Sequence, residues 1–356
     1  MTVRLGLIGA GLIGARHAAA IAQARGARLA AIVDPSPEAL DQIDDPSALR
    51  FSDPEALIAA KAVDGLIIAT PNRLHAAQTG LAIEAGLPAL VEKPFTDTVA
   101  EGEALVAAAR AKGVPLLTGH HRRYNPLIEK GRALIESGAV GQVLTIQTSC
   151  WLKKPDAYFE APWRRQKGAG PVLVNLIHDV DLMRYLCGDV ASVQAMTANL
   201  ARGHEIEDSA VCILRFASGA LATMTLSDAV PAPLSWELTA AENPAYAPTG
   251  ESCYWIGGSE GTLALPQLTL WRHPDGGDWW SPIDARRYPV PATDPLVTQV
   301  EHFADVIRGK AQPRVSGADG LEATRIIDAI HRSAETGTAI ALTPPQDAST
   351  SPPSGS

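Results

Sequence analysis

Residues 3–34 read VRLGLIGAGLIGARHAAAIAQARGARLAAIVD, and they contain two apolar runs separated by a glycine-rich turn and an alanine-rich stretch. The first run, residues 3–8, has the Val, Leu and Ile content of a buried strand. The glycines of residues 9–14 come directly after it, and helical spacing follows them. The second run, residues 29–33, predicts another buried strand. The stretch therefore predicts a strand, a tight turn, a helix and a second strand in succession.

The three glycines of this turn have separate roles if a dinucleotide binds here. Gly9 allows the tight turn, Gly11 lets the backbone approach a pyrophosphate, and Gly14 lets the helix pack closely on the strand. The free amides at the start of the helix, at Leu12 and Ile13, are then available to phosphate oxygens. A glycine-rich turn without a ligand is the alternative, but the position between strand and helix favours the dinucleotide.

Asp34 predicts which dinucleotide binds. It lies twenty residues after Gly14, at the end of the second apolar run. At this spacing an acidic side chain can accept hydrogen bonds from both ribose hydroxyls. Its charge repels a 2′-phosphate, and Pro35 and Ser36 bring no positive charge to offset that repulsion. The sequence thus predicts NAD as the cofactor, with NADP left open.

Composition excludes several classes of protein. The 356 residues are enough for two domains with ample core. A net charge of -9, without a run of five Lys or Arg, predicts no nucleic-acid partner. No apolar run approaches the roughly 20 residues of a membrane span, and a first strand beginning at Val3 predicts no signal peptide. The four cysteines form no C-x-x-C, so we expect a reduced, cytoplasmic protein.

Strand and helix patterns alternate throughout residues 1–122. Further buried strands are predicted at residues 49–51, 64–70, 88–92 and 114–118. This alternation predicts an α/β domain with a doubly wound, mostly parallel sheet. Groups that bind a ligand are then expected at the carboxyl ends of the strands.

Residues 123–342 have a different pattern, in which helices are fewer and strands alternate between apolar and polar residues. The alternating runs are residues 143–148, 193–199, 209–216, 220–227, 236–241 and 268–271. One long helix is predicted within residues 171–187. We expect a second α/β domain with an open, mostly antiparallel sheet and helices on one face. Its apolar outer face predicts a homodimer or homotetramer, and residues 343–356 predict a disordered tail.

The motif ATPNRLH, residues 69–75, follows one of the predicted strands. It is the expected place for Thr70 and Pro71 beside the dinucleotide and for Asn72 near a ribose, with His75 as a further cofactor contact. A helix start followed by surface residues is the alternative interpretation.

Glu92-Lys93-Pro94 ends the next strand. Pro94 cannot continue the ladder, so the chain must turn there. A partly buried lysine near a cationic ring has a lowered pKa, and Lys93 can then act as an acid or a base. A solvated lysine at a strand end is the alternative.

The stretch GAGPVLVNLIHDVD, residues 168–181, contains a third candidate group. On a helix Asn175, His178 and Asp181 share a face, because they are spaced by three. His178 can then meet a substrate hydroxyl while Asp181 orients its ring. A core histidine and a metal ligand are the alternatives, and no metal is predicted because no matching ligand pair is present. His120 and His121 are adjacent, so they are not expected to face one site easily.

These motifs together resemble the glucose–fructose oxidoreductase / inositol dehydrogenase (Gfo/Idh/MocA) family of NAD(P)-dependent dehydrogenases. The resemblance covers nearly all of residues 3–342 and is carried by GAGLIG, ATPNRLH, EKP, GAGPVLVNLIHDVDLMRYLCG and VEHFADVIRG…GLEATRIIDAIHRSAETG. It implies a Rossmann domain followed by an α/β domain whose open sheet makes the oligomer interface.

The resemblance also implies roles for individual residues. Lys93 and His178 are the catalytic pair, and Glu92 helps to hold the nicotinamide ribose. Trp163 and Arg164 match a segment that approaches the cofactor. The residues expected to contact substrate are Lys93, Tyr124, Asn175, His178 and Asp181.

One position departs from the family pattern. Many members have an Asp four residues before the histidine, where this chain has Val174. A Lys–Asp–His triad is therefore not assumed, and Asn175 can bind substrate or orient His178 instead.

The sequence predicts an NAD(P)-dependent oxidoreductase for a secondary alcohol of a sugar, cyclitol, related cyclic polyol or dihydrodiol, with His178 favoured as the base and Lys93 as the positioning group. A redox-assisted glycosidase or lyase that recycles NAD is one alternative. A non-catalytic dinucleotide sensor is another.

Overall fold

The computed structural model describes residues 1–343, apart from the side chain of Asp275, and its first part is a six-stranded parallel sheet. The strands are β1 (Val3–Ile8), β2 (Ala27–Val33), β3 (Leu49–Phe51), β4 (Gly65–Ile68), β5 (Ala89–Val91) and β6 (Leu116–Thr118). The helices between them are α1 (Leu12–Gln23), α2 (Pro37–Asp41), α3 (Pro54–Ala59), α4 (His75–Glu84) and α5 (Val99–Lys112). The order β3-β2-β1-β4-β5-β6 confirms the predicted doubly wound parallel sheet.

Local sequence explains where these elements begin and end. Every residue of β4 and β5 is buried, as expected for central strands covered by helices on both faces. Helix α5 begins at a capping box in which the Thr98 hydroxyl accepts from the amide of Glu101. It ends at Gly113, whose φ of 65° is the left-handed cap that glycine adopts without strain.

The second sheet has nine strands. In chain order the remaining elements are α6 (Pro126–Glu136), β7 (Val143–Trp151), α7 (Ile177–Cys187), β8 (Val190–Ala198), β9 (Ser209–Phe216), β10 (Leu221–Ser227), α8 (Trp236–Thr239), β11 (Tyr254–Gly258), β12 (Thr262–Leu265), β13 (Thr269–Arg272), β14 (Asp284–Arg287), α9 (Pro295–Ile307), α10 (Gly317–Thr336) and β15 (Ile340–Ala341). The spatial order is β14-β13-β12-β11-β7-β10-β9-β8-β15. Only the β7–β10 pair is parallel among the described strands of this sheet, so the mostly antiparallel prediction is confirmed.

The strand predicted at residues 236–241 is wrong, because this segment begins with the short helix α8. The Ser235 hydroxyl accepts from the amide of Leu238 and caps the helix. Trp236 is 1% exposed, and its ring stacks on that of Tyr254 with centroids 5.7 Å apart. The apolar and polar residues that look like strand alternation are thus one helical turn with a buried tryptophan.

A long helix lies within residues 171–187 as predicted, but Asn175, which was expected on it, precedes its first residue. Residues Val172–Leu176 form a π-helical turn, and α7 begins only at Ile177. A π-turn has more residues per turn than an α-helix, so Asn175 does not keep the α-helical spacing to His178. Such turns often occur at functional sites.

Helix α9 packs against the first sheet, although the chain has by then passed through the second. Val300 and Phe303 are fully buried in the same apolar cluster as Leu5 and Leu7 of β1. Residues from the end of the chain therefore complete the core of the first sheet.

No helix within residues 1–343 is both long enough and apolar enough to cross a bilayer. The disordered tail predicted over residues 343–356 lies, beyond Thr343, outside the described residues.

Candidate active site

The glycine turn between β1 and α1 has the shape that a phosphate site needs. A Cβ on Gly14 would lie 2.0 Å from the carbonyl oxygen of Gly9, and one on Gly9 would lie 2.7 Å from that of Ala69. Gly11, by contrast, has no atom within 4 Å of such a Cβ. Gly9 and Gly14 are therefore required by packing, whereas the space at Gly11 is open to a ligand.

The start of helix α1 offers amide donors to that open space. Gly11 is its N-cap, and no side chain caps the helix. The first amides of a helix lack intrahelical partners, and anions bind there. Leu12 and Ile13, in this first turn, are 82% and 40% exposed. The turn thus fits the pyrophosphate of a dinucleotide.

Asp34 is hydrogen-bonded to the backbone of the glycine turn. Its Oδ2 accepts from the amide of Ala10 at 2.8 Å, and its Oδ1 accepts from the amide of Ser36 at 2.9 Å. Each carboxylate oxygen has a second lone pair, so the side chain is fixed by backbone and still able to accept from a ribose.

The motif at residues 69–75 is divided between surface and core. Pro71 is exposed, and Asn72 is half-buried at the start of a 3₁₀ turn. His75, predicted to contact the cofactor, is instead 0% exposed. Its Nδ1 lies 2.8 Å from the carbonyl oxygen of Pro94 and its Nε2 lies 2.9 Å from that of Thr70. The ring joins the two loops after β4 and β5, and that prediction is corrected.

Glu92 follows β5 and is held by a histidine that the sequence motifs did not indicate. Its Oε1 lies 2.7 Å from Nε2 of His17, which is fully buried on α1, and its Oε2 accepts from the amide of Lys93 at 3.1 Å. Burial alone would raise the pKa of Glu92, but the hydrogen bond and charge of His17 outweigh it and lower the pKa to about 2. The position of His17, three residues after Gly14, was the available signal.

Lys93 lies between the two parts of the molecule. Its Nζ donates to the carbonyl oxygen of Val174 in the π-helical turn, at 3.1 Å. Burial lowers the pKa of Lys93; the charge of Glu92 opposes the shift, and that of Arg122 adds to it. The side chain is therefore directed from the end of β5 to the region before His178.

A cavity of about 170 Å³ joins Lys93 and His178. The first sheet's part of the chain lines it with Ile13, Arg16, Glu92 and Lys93, and the rest is lined by His121, Arg122, His178, Trp236, Glu237, Glu242, Asn243, Tyr246 and Leu296. Cavities of about 620 and 630 Å³ lie elsewhere, along β12–β14 and between β8 and α10. Neither contains a residue predicted for the site, so the smaller cavity is the candidate site.

His178 is 8% exposed and surrounded by other imidazoles and cations. The ring centroids of His120 and His121 lie 6.1 and 5.6 Å from its own. Of these two residues His121 lines the cavity, whereas His120 is 1% exposed and does not, so the expectation that both do not easily face one site is confirmed. Burial lowers the pKa of His178 well below its usual value, and the charges of Arg122 and Lys93 lower it further.

Asp181 does not orient His178. Arg123 binds its carboxylate with two hydrogen bonds, Nε to Oδ2 at 2.9 Å and Nη2 to Oδ1 at 2.6 Å. Asp181 is 1% exposed and does not line the cavity. This buried ion pair corrects the predicted contact of Asp181 with substrate.

Tyr124 and Asn175 are also outside the residues that line the cavity. Tyr124 is 1% exposed; its ring lies 5.5 Å from that of His302, with the guanidinium of Arg314 4.8 Å from its centroid. It is a packing residue, which corrects its predicted contact with substrate. Asn175 is half-buried, and its Oδ1 has no hydrogen-bond partner among the described residues.

Trp163 and Arg164 lie in a 3₁₀ turn, Pro162–Arg165, and do not line this cavity. The guanidinium of Arg164 lies 4.2 Å from the ring centroid of Tyr158 and donates to its carbonyl oxygen at 2.9 Å. Trp163 is 57% exposed. Their predicted approach to the cofactor stays a prediction.

The segment from α8 to Tyr246 is the part of the site that sequence reasoning missed. Arg122 donates to Glu237 at 2.6 Å, and His121 lies 3.0 Å from Glu242. Burial would raise the pKa of Glu242, but the hydrogen bond and charge of His121 lower it to about 2. Two acids beside a tryptophan and an Asn-Pro turn, SWELTAAENP, were the signal for this segment.

Among residues 1–343, no group of three or more His, Cys, Asp or Glu side chains is arranged to hold a metal ion. The charged groups of the cavity instead form pairs of opposite sign, such as Arg122–Glu237.

Known proteins similar to this chain match it over nearly its whole length. The D-apiose dehydrogenase of Paraburkholderia graminis is 28% identical over 346 residues, covering 94% of this chain and 88% of that relative. The inositol 2-dehydrogenase of Rhizobium meliloti is 28% identical over 342 residues, covering 94% and 97%. The crystal structure of the WlbA dehydrogenase from Bordetella pertussis, in complex with NADH and UDP-GlcNAcA, matches with a TM-score of 0.77 and 30% identity, covering 96% and 99%.

Family models match both parts of the chain. Residues 3–120 match the oxidoreductase family with an NAD-binding Rossmann fold, which contains the glycine turn, Asp34 and Lys93. Residues 128–264 match the GFO/IDH/MocA C-terminal domain, which contains His178 and α8. The chain therefore belongs to the GFO/IDH/MocA family of NAD-binding oxidoreductases.

Proposed function

We propose that this oxidoreductase transfers a hydride between NAD and a secondary alcohol of a sugar, cyclitol, related cyclic polyol or dihydrodiol. The observation that carries the proposal is the shared cavity of Lys93 and His178, whose wall includes Ile13 from the first turn of α1. The relatives named D-apiose dehydrogenase and inositol 2-dehydrogenase support this class of substrate.

The residues at the carboxyl ends of the first sheet's strands would hold the dinucleotide. The proposed contacts are Gly9, Gly11, Leu12, Ile13, Gly14, Asp34, Thr70, Pro71, Asn72, Glu92 and Lys93, with Trp163 and Arg164 as further candidates. When bound, the nicotinamide supplies the hydride chemistry. Asp34 would favour NAD over NADP, because its charge repels a 2′-phosphate.

Lys93 and His178 would contact the reacting hydroxyl from two sides. Lys93 comes from the end of β5 and His178 from α7, and the cavity between them admits a small polar ligand. An ammonium at Lys93 stabilises a developing alkoxide and is fixed by the carbonyl of Val174. Asn175, whose buried amide oxygen in the π-turn has no hydrogen-bond partner among the described residues, is proposed as a neighbouring substrate contact.

The positions of these proposed contacts support a division of the chain into two functional domains. Residues 1–122 would bind the dinucleotide, and residues 123–342 would carry most substrate contacts and the oligomer interface. Four free cysteines, three of them buried, support a reducing, cytoplasmic location.

The outer face of the second sheet supports a homodimer or homotetramer. Met196 and Val211 are paired across β8 and β9, and they are 77% and 53% exposed. Ile213 and Leu221, on the same face of β9 and β10, are 50% and 45% exposed. Exposed apolar side chains on one face of a sheet indicate an interaction surface, and a second copy of the chain would cover this one.

The test is NADH absorbance with a panel of sugars, cyclitols and dihydrodiols, followed by single-turnover kinetics. Lys93→Ala and His178→Ala should each slow hydride transfer by roughly 10²-fold. NAD affinity, measured by fluorescence, should persist in His178→Ala, since that residue lies on α7. Near-normal turnover in both variants would remove the proposed site, and product formed without net NADH would favour a lyase that recycles its cofactor.

A further inference from the structure

Arg16 brings an unpaired positive charge to the wall of the active-site cavity. It lies on α1, three residues after Ile13, so the two side chains share a face of the helix, and both line the cavity that holds Lys93 and His178. Arg16 is half-buried, and its guanidinium makes no hydrogen bond and no ion pair with any residue of the described part of the chain. The five N–H donors of this group are therefore available to a ligand.

The carboxylates in the wall of this cavity, by contrast, are all bonded to basic side chains. Among the described residues the pairs are Glu92 with His17, Glu237 with Arg122, and Glu242 with His121. The remaining oxygen of Glu237, Oε2, is enclosed by protein atoms and is not open to the cavity. Lys93 donates to the carbonyl oxygen of Val174. The charge of Arg16 is thus the one in this wall that the protein itself leaves without a partner in residues 1–343.

The segment after α8 adds two neutral donors to the same cavity. The Oδ1 atom of Asn243 accepts from the amide of Ala245 at 3.0 Å, which fixes the side chain and leaves its NH₂ group without a partner among the described residues. The hydroxyl of Tyr246 likewise makes no hydrogen bond within residues 1–343. Burial and the charge of Glu237 raise the pKa of Tyr246, and the charge of Arg16 opposes this shift, so the guanidinium lies near that side chain.

The size of the cavity allows one ligand to meet both the reactive pair and these donors. Its volume is about 170 Å³, and Lys93, His178, Arg16, Asn243 and Tyr246 all line it. A small molecule that presents a hydroxyl to the reactive pair therefore brings its other substituents close to the donors. A carboxylate can only accept hydrogen bonds, and it is the side group that such donors suit best.

Building on the function proposed above, we propose that Arg16 is a specificity-determining residue that binds a carboxylate of the substrate, so that the alcohol oxidised belongs to a sugar acid such as an aldonate or a uronate. The planar fork of an arginine matches the two oxygens of a carboxylate, and Asn243 and Tyr246 donate to the same group. One unpaired positive charge compensates one negative charge. A phosphate ester carries about −1.5 to −2 at pH 7 and would leave charge uncompensated beside three carboxylates.

The dinucleotide is the other source of negative charge near α1. Its pyrophosphate is expected at the free amides of Leu12 and Ile13, in the first turn of the helix. Arg16 lies one turn further along α1 and shares its cavity with residues of the second part of the chain, Asn243 and Tyr246. This position favours the substrate as the ligand of Arg16, and a cofactor phosphate becomes an outcome that the test can detect.

The kinetic test compares three pairs of compounds that differ in a carboxylate: D-glucuronate with D-glucose, D-galacturonate with D-galactose, and D-gluconate with D-glucitol. The wild-type enzyme should have the higher kcat/KM for the acid. Arg16→Gln should lower the acid-to-neutral ratio by roughly 10- to 100-fold, the range for a hydrogen bond to a charged group. Arg16→Lys should keep part of the ratio, because it keeps the charge and loses the fork.

A second readout does not depend on turnover. Calorimetric titration of each acid and its neutral counterpart into the protein with NADH bound should give the lower Kd for the acid, and Arg16→Gln should remove that difference. Arg28→Gln, an exposed arginine on β2 outside this cavity, is the matched control and should leave both the Kd difference and the kinetic ratio unchanged. NAD affinity and melting temperature report the folding of each variant.

The outcomes separate this inference from the proposed function. Wild-type protein that binds no acid more tightly than its neutral counterpart would overturn the role of Arg16, while oxidation of the neutral sugars would leave the proposed function standing. A variant Arg16→Gln with weaker NAD binding and an unchanged acid-to-neutral ratio would assign the residue to the cofactor and also overturn the inference. If neither acids nor neutral alcohols yielded NADH, the proposed function would fail, and the calorimetric titrations would still decide whether Arg16 binds a carboxylate.

Discussion

Glu92 and Glu242 face one cavity from opposite sides, and each is hydrogen-bonded to a single histidine. The pKa of each carboxyl is lowered to about 2, by His17 and His121 respectively, against the effect of burial. The histidines differ: the side chain of His17 is 0% exposed, whereas that of His121 is 16% exposed and lines the cavity. A Glu–His pair thus joins α1 to the end of β5 in the first part, whereas in the second part the histidine of the pair lines the cavity.

The largest effect is expected from a substitution in the glycine turn between β1 and α1. Gly14→Val should abolish NAD binding and lower the melting temperature, because a Cβ there would lie 2.0 Å from the carbonyl oxygen of Gly9. Gly11→Ala is the matched control, since its Cβ meets no protein atom within 4 Å. It should keep the melting temperature and weaken only NAD binding. Thermal melts and fluorescence titration measure both, and equal melting losses would contradict the distinction.

The next largest effect is on stability, and it should differ between Glu92 and Glu242. Glu92→Gln should lower the free energy of unfolding by about 2 kcal/mol, the scale for a hydrogen bond to a charged group. Glu242→Gln should lower the free energy of unfolding by less, because the partner of Glu242, His121, is more exposed than His17. Urea unfolding measures both free energies, and a larger loss in Glu242→Gln would contradict this order.

The stabilisation that Glu92 provides should decrease at acidic pH. The folded-state pKa of Glu92 is about 2, below its ordinary value of 4.5. Its stabilisation is therefore present above about pH 4.5 and is lost as the pH falls towards 2. The stability difference between wild type and Glu92→Gln should shrink between pH 5 and pH 3. A constant difference over that range would mean that the ionised carboxylate of Glu92 does not stabilise the fold.

A smaller effect is expected at Asp34. Asp34→Asn should raise affinity for NADP relative to NAD by about fivefold, since repulsion between unit charges 4 Å apart in water is ~1 kcal/mol. Its amide oxygen can still accept from one backbone amide, so folding should persist. Paired titrations with the two cofactors measure the ratio. An unchanged preference would mean that Asp34 does not select the cofactor.

The smallest effect on the active site is expected from a substitution on the outer face of the second sheet, which should change the oligomeric state instead. Ile213→Asp should lower the mass measured by light scattering towards 37.4 kDa, the mass of one chain. Leu49→Asp, at a 52% exposed position on the first sheet, should leave the mass unchanged. Wild-type protein with the mass of one chain at micromolar concentration would refute the proposed oligomer.

The proposed dinucleotide site and the lysine beside it could be predicted because each depends on local features of the sequence. Residues 9–14 and Asp34 follow apolar runs, and in a parallel sheet all such ends meet at one edge. Glu92 and Lys93 were found for the same reason. The partner of Glu92, His17, was missed because it depends on which face of α1 meets β5.

The second side could not be predicted in the same way. Glu242 reaches His121 across 121 positions of sequence, through a loop whose path is set by the burial of Trp236 against Tyr254. The π-turn before His178 breaks the i, i+3 spacing on which the predicted face relied. Asp181 was assigned to the site by that spacing, and its binding to Arg123 depends on tertiary packing.

Helix α9 has a consequence for the order in which the protein can form during synthesis. Its residues Val300 and Phe303 complete the apolar cluster around Leu5 and Leu7. The N-terminal sheet therefore leaves the ribosome long before the helix that covers one of its faces. We expect its nascent strands to expose that face until residue 307 has emerged, and to depend on the folding of the intervening chain, or on a chaperone, to avoid aggregation.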